Sequence, residues 1–342
     1  MNKDFLLQGL DAVVITSNSN LFYFTGYSNA DAVVILTKEK NYYVTDKRSL
    51  EEARELIKGY EFIDNGKESR LKVTRKLLKS IKARKVGFED GTIMLNEYRE
   101  IQGLPRFYVL KGVQDRISLL RASKSEFEIE KIKKAQEITD EVYSRLLEFI
   151  DVGMKEKDVA NFINKEIYAR GATLAFDTIV AFGKNTSKPH AHPSDNELKR
   201  NDVVTVDFGA KLDGYCSDMT RSFAIGEVSD EYVRVYDAVL RAQEYAIQNS
   251  KVGITKYHDL AVESLRKDGL HTYFTHSLGH SLGIDIHEGF KGEIPLNAVL
   301  SVEPGVYIEG EFGVRIEDIL VFKKDNVYNL TNSPKKLIIL EK

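Results

Sequence analysis

Val203-Val204-Thr205-Val206-Asp207-Phe208-Gly209 is an apolar run broken by a single aspartate, and its reading decides the fold. β-Branched residues at that density predict a strand. A charge inside a buried strand is costly unless it is paired or bound to metal. Gly209 and Gly214 allow the chain to turn, and Cys216-Ser217-Asp218-Met219-Thr220-Arg221 returns with a second acid. A hairpin would set Asp207 and Asp218 side by side, where like charges repel. A cation resolves that conflict. In the plainer alternative, Arg221 neutralises one of the two acids.

The pattern recurs toward the C-terminus. Val299-Leu300-Ser301-Val302-Glu303-Pro304-Gly305-Val306-Tyr307 sets Glu303 into another apolar run, Gly310 and Gly313 turn the chain, and Gly313-Val314-Arg315-Ile316-Glu317-Asp318 returns with Glu317. All 7 histidines lie at or beyond His190, and His276, His280 and His287 are clustered. His276 and His280 have i, i+4 spacing, but Gly279 and Gly283 disfavour a continuous helix, so a turn or strand end is expected there. It is not the helical zinc-protease motif. His258 and His271 read as ordinary polar side chains.

Four carboxylates and one imidazole make an oxygen-rich site for two divalent ions, with Mn, Co, Fe and Zn all chemically reasonable. A lone zinc would not need so many acids. Two ions about 3.5–4 Å apart share a water, lower its pKa and stabilise the oxyanion that follows its attack, so amide hydrolysis is the obvious use. The histidines left over are available to hold and protonate a substrate.

Outward from these segments, the 342 residues suggest two domains. In the first third, strand signals at Ala12–Thr16, Ala32–Leu36, Tyr42–Thr45, Val86–Phe88 and Phe107–Val109 alternate with helical patterns at about 47–58, 68–83 and 93–103. That rhythm predicts an α/β domain with a partly parallel sheet. It holds no histidine and no Gly-rich phosphate loop, so scaffold, oligomer surface or substrate lid is its expected role. A capping box at Ser123/Glu126 or Ser125/Glu128 then opens a long amphipathic helix to about Ile150, with Ile129, Ile132, Ile138, Val142, Leu146 and Phe149 near one stripe. A second helix is expected at about 155–170 and strands at about 176–182, 203–208 and 215–225. The order then repeats, with helices at about 230–250 and 256–268 and strands at about 272–287 and 298–322, which suggests an internal pseudo-symmetry.

A net charge of -3 offers no general field for nucleic acid. The single cysteine, Cys216, excludes an internal disulfide framework and a thiolate metal cage. No apolar run approaches a membrane span, and the N-terminal segment lacks an export core, so a cytoplasmic protein without nucleic-acid or membrane partners is expected.

Together, Asp207-Phe208-Gly209, Asp218-Met219-Thr220-Arg221, His276-Ser277-Leu278-Gly279-His280, His287-Glu288, Val302-Glu303-Pro304-Gly305 and Arg315-Ile316-Glu317-Asp318 resemble the signatures of the M24 metallopeptidases. This family has the pita-bread fold and includes methionine aminopeptidase, aminopeptidase P, prolidase and creatinase. The first third is similar in layout to the creatinase/prolidase-type N-terminal domain, including Phe22-Tyr23-Phe24-Thr25-Gly26-Tyr27. The resemblance implies an α/β N-terminal domain over 1–118 and an α+β pita-bread catalytic domain with an internal pseudo-twofold over 119–342. By position, it implies that Asp207 binds one metal, that His280 and Glu303 bind the other, and that Asp218 and Glu317 bridge them. Glu303 would take the proton of a metal-bridged water that attacks the scissile amide.

His190 would contact the substrate amide, His287 would stabilise the tetrahedral centre, and His276 and Arg315 would line the proline pocket or anchor the ligand pair. His192 has no counterpart. Ser277 and Ser281 stand where the family often has glycine, which bears on pocket width rather than on the metals. The implied activity is hydrolysis of Xaa-Pro dipeptides, the prolidase reaction, with Mn or Co as first choice of ion and Zn or Fe as alternatives. Aminopeptidase P activity on longer peptides is the alternative, and a metal-free binding module the remote one. The domain of about 120 residues ahead of the catalytic part argues against a simple methionine aminopeptidase. The intact carboxylate set argues against creatinase. A homodimer is also implied.

Overall fold

Continuous β-branched runs need partners on both faces, and the first third of the chain supplies them with one six-stranded mixed sheet. Its order is Glu61–Asp64, Asn41–Thr45, Val33–Thr37, Ala12–Ile15, Lys85–Phe88, Val109–Gly112. Ala12–Ile15 pairs antiparallel with Val33–Thr37 and parallel with Lys85–Phe88. Alternate residues feed separate cores, Val13, Ile15, Val34 and Leu36 on one face and Ala12, Val14, Val33 and Ile35 on the other.

The computed structural model describes residues 3–342 and falls into two units, Met1–Leu120 and Arg121–Lys342. Helices Lys47–Leu56, Arg70–Ser80 and Leu95–Gln102 occupy the places their apolar periodicity predicts. Helices Asn18–Thr25 and Gln114–Ala122 and strand Glu61–Asp64 go beyond the sequence reading. Asn18–Thr25 contains Phe22, Tyr23 and Phe24, which favour strands. Its helical state is set by a distant acid: buried Glu89 accepts from Ser17 N at 3.0 Å and Asn20 Nδ2 at 2.6 Å, satisfying donors at the helix start.

In the second unit, helix Glu126–Phe149 starts at the later of the two caps, with Ser125 N donating to Glu128 Oε2 at 2.8 Å and Glu128 N donating to Ser125 Oγ at 3.3 Å. Ile129, Ile132, Val142 and Leu146 are buried, whereas Phe149 lies at the rim, stacked on Phe162. This helix and Glu156–Ala169 pack on a sheet ordered Ile339–Leu340, Met219–Ile225, Val203–Phe208, Ile179–Phe182. Helices Asp230–Asn249 and Tyr257–Lys267 pack in the same way on Val327–Asn329, Asp318–Phe322 and Ala298–Val302. Two helix-helix-sheet halves, each with its own core, are the pita-bread pseudo-symmetry. No helix among the described residues is long and apolar enough to cross a membrane.

The strand expected over 272–287 does not form. A 3₁₀ turn at His271–Tyr273 is followed by irregular chain, held by isolated bridges from Ser281 to Glu288 and Leu300. The chain is too close to its neighbour for a side chain: a Cβ on Gly279 would lie 2.0 Å from the Ser301 carbonyl oxygen. The expected strand over 215–225 is likewise divided into Tyr215–Cys216 and Met219–Ile225, and 298–322 into Ala298–Val302, Gly305–Ile308, Phe312–Arg315 and Asp318–Phe322.

Arg221 does not neutralise Asp207 or Asp218. Its Nη2 donates to Asp318 Oδ1 at 2.8 Å and to Ser333 O at 2.8 Å, and Nε donates to Pro334 O at 3.0 Å. Both partners of this pair are about 1 % exposed, so Arg221→Met strands Asp318 with Lys335 and Asn329. Breaking such a pair costs about 3–5 kcal/mol. At roughly 2–4 °C per kcal/mol, the melting temperature should drop on the order of 10 °C. Calorimetry checks this, and a drop of a degree or two would show that the pair contributes little.

Candidate metal centre

Each acid pair lies where a two-tiered hairpin changes tiers. Val203–Phe208 pairs with Met219–Ile225, and Ala210–Leu212 continues as a separate pair with Tyr215–Cys216. Ala298–Val302 pairs with Asp318–Phe322, and Gly305–Ile308 continues as a separate pair with Phe312–Arg315. Asp218 and Glu317 therefore occupy equivalent places, each one residue ahead of the returning strand. The expected direct opposition of Asp207 and Asp218 is corrected, since Asp207 stands opposite Thr220. The break between tiers brings the acids together, and Gly209 permits it: a Cβ there would lie 2.0 Å from the Ser217 carbonyl oxygen.

One ligand atom each of Asp218, His280 and Glu317 lie within 4.8 Å of one another. His280 Nε2 is 3.4 Å from Asp218 Oδ2 and 3.5 Å from Glu303 Oε1. Asp207 and Glu303 line the same cleft, of ≈ 380 Å³, together with His190, His276, His287 and Arg315. All nine singled-out side chains thus meet at one place, and His192, His258 and His271 do not line it.

Neighbours that the sequence reading did not single out hold these groups. Thr220 Oγ1 donates to Glu317 Oε2 at 2.7 Å. Ser301 Oγ donates to Glu303 Oε1 at 3.0 Å and accepts from His280 N at 3.0 Å. The only sign of either in the sequence is a hydroxyl residue inside an apolar strand. Arg315 spends its donors on the protein: Nη2 on Asp207 Oδ2 at 2.7 Å, Nη1 on Tyr307 Oη at 2.8 Å and Pro189 O at 3.2 Å, and Nε on Thr220 Oγ1 at 2.9 Å. It is therefore built as an anchor. His276 Nδ1 lies 2.9 Å from Ser277 O, a pure acceptor, so Nδ1 carries the proton. Nε2 then accepts the Tyr307 hydroxyl at 2.8 Å. Burial, aided by the Arg315 charge, pulls His276 down to about 4, so it is a neutral ring with both nitrogens engaged.

Without a metal, the cluster is electrostatically unhappy. Burial, aided by the Asp207 charge, raises Asp218 to about 6. Burial raises Glu303 to about 7, helped by Asp218 and Asp207 against the pull of His280 and Arg315. Burial and then the Asp218 and Glu303 charges push Glu317 well above the ordinary carboxylate range. Burial alone would lower His280, but the hydrogen bond and charge of Asp218, with Glu303, hold it up at about 9. Burial and the His280 charge lower His287.

Two acceptors, Asp207 Oδ1 and Glu317 Oε1, are buried with no hydrogen-bond partner among the described residues. Orphan carboxylate oxygens and raised acids are what a donor set for hard divalent cations looks like when only Arg315 and one imidazole offset it. The residues fit metal ions.

Two halves around a carboxylate-rich cleft define a metal-dependent hydrolase. Metallopeptidase family M24 matches residues 130–324, and the creatinase/prolidase N-terminal domain matches 6–123. The chain belongs to metallopeptidase family M24. It is 33% identical to the Xaa-Pro dipeptidase of Pyrococcus horikoshii over 339 residues, 96% of this chain and 95% of that protein. The solved Xaa-Pro dipeptidase from Bacillus anthracis superposes with a TM-score of 0.94 at 32% identity over 99% of each chain. The X-Pro aminopeptidase from Thermotoga maritima superposes with a TM-score of 0.92 at 33% identity, covering 99% of this chain and 100% of that one.

Proposed function

We propose that this metallopeptidase hydrolyses Xaa-Pro dipeptides, with Asp207, Asp218, His280, Glu303 and Glu317 holding two divalent ions. The observation that carries this reading is the convergence of four carboxylates and one imidazole in a cleft walled by His276, Phe176 and Ile179. By family resemblance, Asp218 and Glu317 would be shared by the two ions, Asp207 would complete one site, and His280 with Glu303 would complete the other. Mn or Co is the first choice for an oxygen-rich set, with Zn or Fe next. Bound there, the ions supply a water of lowered pKa and polarise the scissile carbonyl.

The chain's own groups do the rest. Glu303 takes up the proton of the attacking water. The Ser301 hydroxyl, which donates to its Oε1 at 3.0 Å, holds the carboxylate for that role. Glu303 then returns that proton to the proline nitrogen, which carries no hydrogen in the peptide and leaves as an amine. His190 contacts the substrate amide, and His287 donates to the carbonyl oxygen as it becomes negative. His276, locked neutral, presents a ring face to the proline. Arg315 holds Asp207 and Tyr307 rather than the peptide. A homodimer comes with the family resemblance, and a cytoplasmic location completes the proposal.

The test is a comparison of an Xaa-Pro dipeptide with the matching Xaa-Pro-Xaa tripeptide on protein loaded with Mn or Co. The dipeptide is expected to have the higher kcat/KM by at least about tenfold, or about 1.4 kcal/mol. Faster cleavage of the tripeptide would make the chain an X-Pro aminopeptidase, like the Thermotoga maritima protein it superposes on. No cleavage of either by the loaded protein would favour a binding module.

A further inference from the structure

Behind His287 lies a buried cluster of charges that the proposed reaction does not use. The side chain of Lys124 is 1% exposed, that of Glu288 7% and that of Arg121 10%. Lys124 Nζ donates to Glu288 Oε2 at 3.2 Å and to Ser281 Oγ at 3.1 Å. Arg121 Nη2 donates to Glu288 Oε1 and, at 2.7 Å, to Asp285 Oδ2. Glu288 Oε1 also accepts Ile284 N at 2.8 Å and Asp285 N at 3.2 Å. Two cations meet two carboxylates, so no metal is called for.

The segments these charges fasten are the ones that matter. Ser281 follows the proposed ligand His280, and Glu288 follows His287. Glu288 N donates to Ser281 O at 2.7 Å, which closes the loop between them. The closed loop sets the His280 and His287 rings edge to face, with centroids 4.2 Å apart. There is no slack in it: a Cβ on Gly283 would lie 2.8 Å from Glu288 Oε1. The tip of the loop is pinned as well, with Gly283 O accepting Cys216 N at 2.7 Å and Ile284 O accepting Lys211 Nζ at 2.7 Å. Buried ion pairs are weak sources of stability compared with apolar packing of the same volume, and their best-attested use is to fix one arrangement.

We infer that Lys124 is a positioning residue: by bridging Ser281 and Glu288, it locks the His280–His287 loop so that His287 stands where the substrate oxygen becomes negative. This rests on the role proposed above for His287.

Lys124→Met and Lys124→Arg, each alone and combined with His287→Ala, test it. Lys124→Met is expected to keep the metal content of the wild type and a KM within about twofold, while kcat falls about 10- to 100-fold, the range seen when groups supporting site residues are removed. Lys124→Arg, which keeps a charge able to reach both partners, should restore most of kcat. In the His287→Ala background, Lys124→Met should cost less than about twofold, because the group it positions is gone. In metal-free protein labelled at histidine, the nuclear Overhauser contact between the His280 and His287 rings should be present in the wild type and lost in Lys124→Met, a readout independent of turnover. An equal loss of kcat in both backgrounds, or an intact ring contact in Lys124→Met, overturns the inference. Wild-type kcat in His287→Ala alone overturns the role of His287, and the inference with it.

Discussion

Glu317→Gln is expected to lower kcat/KM by at least about a thousandfold and to prevent the chain from binding its full complement of metal. Glu317 offers one oxygen to the Thr220 hydroxyl and leaves the other, Oε1, buried without a partner among the described residues. Glutamine keeps the shape but turns one of those positions into a donor, so either the Thr220 bond or the metal bond is lost. A bound ion is worth several kcal/mol to the transition state, and each 1.36 kcal/mol is tenfold in rate. The same substitution should raise the melting temperature of metal-free protein, because burial and the Asp218 and Glu303 charges force the Glu317 carboxyl to fold protonated, a cost that glutamine does not carry. A misfolded variant would melt lower, so the rise separates loss of a ligand from loss of the fold. Metal analysis, kinetics and calorimetry on one preparation suffice. Wild-type metal content with activity within tenfold would remove Glu317 from the site.

Why the five-residue set was legible while its supports were not follows from their chemistry. An acid inside Val203–Phe208, or directly after Ala298–Val302, is conspicuous because apolar strands reject charge. Thr220 and Ser301 are inconspicuous, since a hydroxyl in a strand is commonplace until a carboxylate is found 2.7 or 3.0 Å away. Arg221 and Arg315 show the limit more sharply. Both are buried arginines on strands of the two hairpins, yet one pairs with Asp318 and the other with Asp207. Sequence distance does not reveal which.

In the fold, the periodic helices and two-sided strands were readable because local pattern and burial agree. Helix Asn18–Thr25 was not, because Glu89, far along the chain, supplies its N-terminal acceptor. The loop from Thr275 to Glu288 carries glycines and histidines that match neither a helical nor a strand period. Its course is set by contacts to Lys124, Arg121 and Ser301.

Metal should stabilise the protein more as pH rises, with the increment growing between about pH 6.5 and about pH 8.5. Glu303 is raised from 4.5 to about 7, and Glu317 is raised well above the carboxylate range, by burial first and neighbouring acids second. An acid whose folded pKa exceeds its unfolded one contributes stability below the unfolded value and loses it as pH rises through the folded value. His280, raised from 6.5 to about 9 by Asp218 and Glu303 against its own burial, has the same sign: its contribution is present below 6.5 and gone above 9. In the metal-free chain His280 therefore loses stability across the window, Glu303 completes its loss at the lower end, near pH 7, and Glu317 has the same sign.

The neutral histidines work the other way, but not there. His276 and His287 are lowered, so their effects on stability are confined below the ordinary histidine value of 6.5. Lys124 is lowered too and would add stability with rising pH, but it titrates with or without metal, so the difference between loaded and metal-free protein largely cancels it. A tenfold change in proton affinity corresponds to about 1.36 kcal/mol, and groups in one cluster do not simply add, so a growth of a few kcal/mol is the expected scale. Denaturant titrations of chelated and loaded protein at fixed free metal measure it. A metal increment that is flat or shrinking over this range would mean that the cluster is not strained without its ions, and the case for a bare cation site built from Asp218, Glu303 and Glu317 would fail with it.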